Sequence, residues 1–186
     1  MIRNKQFIRE KVAERKKYLS GKTIADLSRK IGDRLVQTDA FQKAKCIALY
    51  YAMEDEVQTS GLIEEWFATK KIVLPVISGE TIDFFTYTGK NNLMKGIWGI
   101  SEPVSTELIS PEDIDLFIIP GIAFDHKCNR MGRGKGYYDR YLAGINKPTI
   151  GLCFDFQLFE QIPAEIHDKK MMLVITENAT VSLHHQ

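Results

Sequence analysis

Residues 130 to 141 read Arg-Met-Gly-Arg-Gly-Lys-Gly-Tyr-Tyr-Asp-Arg-Tyr, three glycines alternating with cations and running into a tyrosine pair and an aspartate. Glycine permits positive φ and close approach of a ligand to the backbone, and successive N–H groups in a turn form a concavity for anions. Arg130, Arg133, Lys135 and Arg140 would surround that concavity with positive charge, which is chemistry for a phosphate. Two familiar phosphate loops are excluded by spacing. Lys135 is followed by Gly136 rather than by Ser or Thr, and Gly132-x-Gly134-x-Gly136 lacks the x-x interval of the dinucleotide fingerprint. The segment after Gly136 predicts a helix beginning near Tyr137, whose N-terminus would add its dipole to the anion site. A solvated basic loop is the alternative.

Other groups could share that chemistry. Lys5 and Arg9 lie four apart on a predicted helix, so both cations point the same way and could clamp a phosphate, or simply form a solvated face. Glu54-Asp55-Glu56 follows a β-prone run, where a carboxylate would project at the active end of a sheet or open a helix. Trp98 is flanked by glycines on both sides and could stack on a flat ring or fill core. His167-Asp168 reads as loop polarity, and His184 and His185 lack metal-ligand spacing.

The elements that must position these residues follow from periodicity. Phe7, Ile8, Val12 and Leu19 mark a first helix within residues 3 to 19. Ile24, Leu27, Ile31 and Leu35 mark a second that Thr23 could cap. Leu62, Ile63, Trp66 and Phe67 give one face of another helix. Strands are expected over 46–52, 71–77, 81–88, 115–120, 149–154 and 171–176, with Pro75 placing the second of these near an edge. Strands separated by helices imply crossover connections, hence an α/β three-layer fold with a mostly parallel sheet flanked by helices on both faces. No repeat or linker interrupts residues 1–186, so a single domain is expected. In such sheets ligands sit beyond the carboxyl ends of the strands, and the glycine loop follows the 115–120 run.

Composition bounds the function. Twenty-five Lys and Arg against 24 Asp and Glu give a net charge of +1, so any basic function is local and nucleic acid is not an expected partner. Three widely spaced cysteines, Cys46, Cys128 and Cys153, argue for reduced thiols in a cytoplasmic protein. The most apolar stretch, 116–124, is too short to span a bilayer and contains Pro120 and Gly121, and no apolar region follows the basic N-terminus as in a secretory signal.

Six pieces now occur in order: Lys5-x-x-x-Arg9, Met53-Glu-Asp-Glu56-Val57-x-Thr59, Trp98-Gly-Ile-x-Glu102-Pro103, Pro120-Gly-x-Ala-Phe-Asp125, the 130–141 loop and His167-Asp168. This order, from about Lys5 to Glu177, resembles the 5-formyltetrahydrofolate cyclo-ligase family, also called 5,10-methenyltetrahydrofolate synthetases. The resemblance implies an ATP- and magnesium-dependent ring closure: the formyl oxygen is phosphorylated, N-10 attacks the activated carbon, and ADP and phosphate leave 5,10-methenyltetrahydrofolate. Carried over by position, it implies that Lys5, Gln6, Phe7, Ile8 and Arg9 contact ATP. It places Arg130, Met131, Gly132, Arg133, Gly134, Lys135, Gly136, Tyr137 and Tyr138 around the phosphates, with Arg133 and Lys135 catalytic. Residues Arg133 to Tyr137, Tyr51, Glu56 and Trp98 would meet the folate, Glu56 as an acceptor for the donor edge of its bicyclic ring. Asp139 and Asp168 would hold Mg²⁺. The partners implied are small molecules, with a monomer or homodimer equally open. Cys128 stands where glycine is common, and a thiol beside a phosphate loop implies sensitivity to thiol reagents.

Two other classes share some of these features. A sugar-phosphate isomerase or an acyl-CoA transferase-like enzyme could use a glycine loop in an α/β fold, but needs neither ATP nor the pairing of Lys5 and Arg9 with Asp139. A nucleic-acid module could use the basic first helix and the tyrosines, and the near-neutral charge argues against it.

Overall fold

The computed structural model describes residues 4–96, 99–104, 107–165 and 168–183. Trp98, His167, His184 and His185 lie outside them. The helices are α1 (Lys5–Lys16), α2 (Gly21–Leu35), α3 (Asp39–Lys43), α4 (Ser60–Phe67) and α5 (Tyr137–Tyr141). Asn4 caps α1 by accepting the Phe7 N–H. The cap of α2 is Ser20, which accepts from the Thr23 N–H; Thr23 is the residue capped, not the cap, because the helix starts at Gly21.

The strands are β1 (Cys46–Ala48), β2 (Lys71–Ser78), β3 (Thr81–Thr86), β4 (Leu93–Lys95), β5 (Ser101–Pro103), β6 (Leu108–Ile109), β7 (Leu116–Pro120), β8 (Ala123–Asp125), β9 (Arg130–Met131), β10 (Thr149–Leu152), β11 (Leu158–Phe159), β12 (Leu173–Ile175) and β13 (Thr180–Ser182). Among the described residues eight strands form the main sheet in the order β13-β12-β10-β7-β1-β2-β3-β6. Its centre, from β12 to β2, is parallel, and antiparallel strands flank it on both sides. Side chains alternate between two buried clusters. Ile47, Ile72, Leu116 and Ile118 pack with Ile31, Leu35, Phe41, Ile63 and Trp66 of α2, α3 and α4. Ala48, Val73, Phe117 and Ile119 face the other way, where Leu142 and the tyrosines of α5 cover them. Both faces are covered, which is why the parallel strands read as continuous apolar runs. The second cover is thin, and that thinness leaves room for a cavity.

Pro75 does not mark an edge strand, since β2 lies between β1 and β3. The Lys71 N–H reaches the Lys45 carbonyl, and the Leu49 N–H reaches the Val73 carbonyl. By the two-residue period, Pro75 and Ile77 point the same way, but β1 pairs no further than Val73. The donorless nitrogen of Pro75 therefore faces a local edge left where β1 stops.

Candidate active site

That local edge opens onto a cavity of ≈ 890 Å³ beyond the carboxyl ends of β1, β2 and β7. The chain leaving β1 contributes Tyr50, Tyr51, Met53 and Glu56, β2 contributes Pro75 and Ile77, and β7 contributes Pro120 followed by Gly121. Lys5 and Arg9 come from α1, and every residue from Arg130 to Arg140 borders the space. Elements separated by more than a hundred residues thus meet around one volume.

The helical period decides which part of α1 reaches it. Lys5 and Arg9 line the cavity, while Ile8 is buried with Val12, Ala123, Met131 and Ile162, Phe7 packs against that cluster, and Gln6 donates to Glu10. The side chains of Gln6, Phe7 and Ile8 therefore do not line this cavity, whereas the resemblance implies contact along the whole of residues 5–9. Arg9 leans on the glycine loop: a Cβ added to Gly134 would sit 3.4 Å from its Nη2. Its Nε is buried without a hydrogen-bond partner among the described residues, as is the Nε of Arg130. Unpaired buried guanidinium nitrogens at a cavity fit an anionic ligand that would satisfy them.

The loop has the backbone its glycines allow. Gly134 has φ +97° and Gly136 φ +70°, and Gly136 precedes α5 as a left-handed residue. The helix itself is one short turn and more, so its dipole is a smaller contribution than a long helix would supply. Arg130 is buried, donates to Asp139 Oδ1 at 2.8 Å and to the Pro120 carbonyl at 3.2 Å, and lies over the Tyr138 ring. Arg133 is half exposed and reaches Glu56 Oε1 at 3.0 Å and Asp55 Oδ1 at 3.2 Å. Burial opposes the Arg133 charge, but those two carboxylates raise its pKa nonetheless. Arg140 donates to the carbonyls of Lys135 and Glu80, and the Tyr137 hydroxyl donates to the Gly79 carbonyl, so the loop is tied to the β2–β3 turn.

Five carboxylates line the cavity. Glu56 accepts from Arg133 and from the Met53 N–H, Asp139 pairs with Arg130, and Glu165 and Asp168 pair with Lys5 at 2.6 and 3.5 Å. The hydrogen bond that Lys5 donates to Glu165 raises the lysine pKa, against the opposing effect of burial. Glu102 is the fifth, buried and paired with no cation among the described residues. Asp139 and Asp168 bring hard oxygen donors to a space ringed by cations. Such a pair fits Mg²⁺, which takes one or two carboxylates and completes its shell with phosphate and water. Among the described residues no cluster of three His, Cys, Asp or Glu side chains forms a self-contained metal cage, so a cation here would lean on its substrate.

Cys128 corrects an expectation. Its backbone has φ +57°, the left-handed conformation that glycine adopts without strain, which accounts physically for glycine being common there. The side chain is fully buried, and burial pushes the thiol up to about 11, so it presents no reactive thiolate. Sequence reasoning assigned no role to Glu102, Glu165, Ile77 or Ile82. Glu102 stood inside a recognised motif, while the walls from β2 and β3 had no local signal because only the ending of β1 exposes them.

Comparison with known proteins agrees with this geometry. A profile of the 5-formyltetrahydrofolate cyclo-ligase family matches residues 1–177. The mouse 5-formyltetrahydrofolate cyclo-ligase is 31% identical over 96% of both chains. An NMR structure of 5,10-methenyltetrahydrofolate synthetase from Aquifex aeolicus is 34% identical, superposes with a TM-score of 0.88 and covers 97% of this chain and 93% of its own. A structure of the Mycoplasma pneumoniae synthetase, 26% identical, gives a TM-score of 0.77 over 94% of this chain and 99% of its own. No described helix is long and apolar enough to cross a membrane.

Proposed function

Because the chain belongs to the 5-formyltetrahydrofolate cyclo-ligase family of enzymes, we propose that it converts 5-formyltetrahydrofolate to 5,10-methenyltetrahydrofolate with ATP and magnesium, releasing ADP and phosphate. The observation that carries the ATP requirement is the meeting of Lys5 and Arg9 with Arg130, Arg133, Lys135 and Arg140 around one cavity. An amide-like formyl oxygen leaves poorly. Transfer of the γ-phosphoryl to that oxygen makes it a phosphate leaving group, and the N-10 lone pair then forms the new C–N bond as the C–O bond breaks. N-10 loses its proton, and the methenyl bridge is cationic.

No protein nucleophile enters this scheme. The work of the chain is positioning and charge stabilisation, for which preorganised cations and backbone N–H groups suit a phosphoryl in flight. In this reading Arg9 and Arg130, whose Nε atoms lack partners among the described residues, hold phosphate oxygens, and Arg133 and Lys135 follow the charge as it passes to the formyl oxygen. The glycines let the loop backbone close on the same anion. Asp139 and Asp168 would hold Mg²⁺, which when bound would supply positive charge against the phosphate. Tyr51 and Glu56 border the same space and would meet the folate. Trp98 is proposed as a stacking surface on the family resemblance alone, since it lies outside the described residues. The near-ultraviolet band of the methenyl product tests the reading: it should appear only with ATP and magnesium both present, with ADP formed one for one. Turnover without nucleotide rejects it.

A further inference from the structure

We infer that Glu102 is the residue that recognises the amino-pyrimidinone edge of the folate head, and that it thereby fixes which substrate occupies which part of the cavity. The inference rests on the folate reading above. Glu102 lies on β5, is only 8% exposed, and borders the cavity among Pro75, Ile77, Ile82 and Ile100. It accepts a hydrogen bond from the Ile77 N–H at 3.3 Å, at the local edge where β1 has ended. The other four carboxylates of the cavity each face a cation, whereas Glu102 has no ion pair among the described residues. A carboxylate in an apolar wall is costly unless donors satisfy it. The fold nevertheless makes room for it: a Cβ at Gly96 would lie 2.1 Å from the Glu102 carboxyl carbon, so a larger residue there would push the carboxylate out of its present place.

The chemistry of the two substrates separates them at this spot. A 2-amino-4-oxo pyrimidine presents two adjacent donors, the amino group and N-3–H, which match the two oxygens of a carboxylate. The adenine edge presents one donor beside the N-1 lone pair, and that lone pair repels the second oxygen. The apolar neighbours fit the faces of a flat bicyclic ring. Glu56, the acceptor implied by sequence, already accepts from Arg133 and Met53, which leaves Glu102 as the carboxylate suited to this edge.

The test uses the full-length protein and calorimetry with 5-formyltetrahydrofolate, its 2-deamino analogue and a non-hydrolysable ATP analogue. Glu102→Gln exchanges one acceptor oxygen for a donor, and should weaken folate binding by about a hundredfold or more while nucleotide affinity stays within about twofold. Wild type should discriminate against the deamino analogue by a similar factor, and the variant should not. A purely structural role for Glu102 would not erase that discrimination. Unchanged folate affinity in the variant, or equal losses for both substrates, overturns the inference. If the variant fails to fold, the wild-type comparison decides alone, and equal binding of the parent and deamino compounds overturns it. A wild type that neither binds nor converts 5-formyltetrahydrofolate, with ATP and magnesium present, instead rejects the proposed reaction.

Discussion

The glycine loop has a root and a tip, and the two hold their cations differently. At the root, Arg130 sits on β9 with a side chain 4% exposed, fixed by Asp139, the Pro120 carbonyl and the Tyr138 ring. At the tip, Arg133 is 48% exposed and is held by Asp55 and Glu56, which are themselves partly solvated. The root cation is part of the fold; the tip cation is restrained only by carboxylates that an incoming phosphate could outcompete. A loop built this way keeps its position while its working charges exchange partners.

The largest effect should follow from breaking the root. Arg130→Ala leaves Asp139 beside a buried gap and removes a buried charge pair, so unfolding free energy should fall by about 3 kcal/mol, with activity lost at any substrate concentration. Chemical denaturation measures it, and a loss below about 1 kcal/mol would erase the distinction between root and tip. At the tip, Arg133→Ala and Lys135→Ala should each lower kcat/KM by on the order of a hundredfold, since each removes a preorganised cation from the transferring phosphoryl. Their stability should change by no more than about 1 kcal/mol, because half-exposed ion pairs contribute little. Wild-type rates in folded variants would make the tip a solvated loop.

The same contrast explains what could be read from the sequence. The parallel core strands and the longer helices followed from local periodicity, because each depends on residues a few positions apart, although the start of α2 falls at Ser20 and Gly21 rather than at Thr23. The glycine loop was legible for the same reason: its positive-φ glycines and cations are adjacent. Lys5 and Arg9 were legible as a pair, but their meeting with Gly134 depends on the packing of Ile8 and Val12 against Ala123 and Met131, which no local pattern encodes. Pro75 was read as placing its strand near the sheet edge, whereas the early end of β1 creates an edge inside the sheet. Glu102 was invisible as a site residue because its significance is that no cation among the described residues pairs with it in three dimensions.

Asp139 belongs to both regions, which sharpens the comparison. Asp139→Asn and Asp168→Asn should each raise the Mg²⁺ needed for half-maximal rate, by about tenfold, if a hard cation uses their charge. Asp139→Asn should also destabilise the protein, by about 1 to 3 kcal/mol, because it leaves Arg130 buried without its partner. Rate against magnesium, at fixed ATP, separates the two roles; unshifted curves in both variants would remove these residues from a metal site. The glycines come next. Gly134→Ala and Gly136→Ala each force an L-residue into positive φ, at about 1 to 2 kcal/mol, and the new methyl would meet Arg9 at 3.4 Å or Arg140 at 2.7 Å. Nucleotide affinity by calorimetry should fall in both, and unchanged affinity would mean that the backbone does not cradle the phosphate.

The smallest effect is expected just before the root, at Cys128. Its left-handed backbone favours glycine by about 1 kcal/mol, whereas its fully buried side chain contributes roughly as much by packing, so Cys128→Gly should change stability by less than about 1 kcal/mol near neutral pH. The two effects separate with pH. A thiol held up to about 11 in the folded protein keeps its proton where an unfolded thiol, with its pKa near 8.5, loses it. Its contribution is therefore complete below the unfolded value and declines as pH rises toward 11, so wild type should lose stability relative to Cys128→Gly between roughly pH 8.5 and 11. The native enzyme should meanwhile keep its activity in a thiol reagent at neutral pH, with the three cysteines reacting only on unfolding, since Cys46, Cys128 and Cys153 are all buried. Rapid modification of Cys128 with loss of nucleotide binding would show that the approach to the root opens as readily as the tip, and the rigid root would no longer distinguish the two ends of the loop.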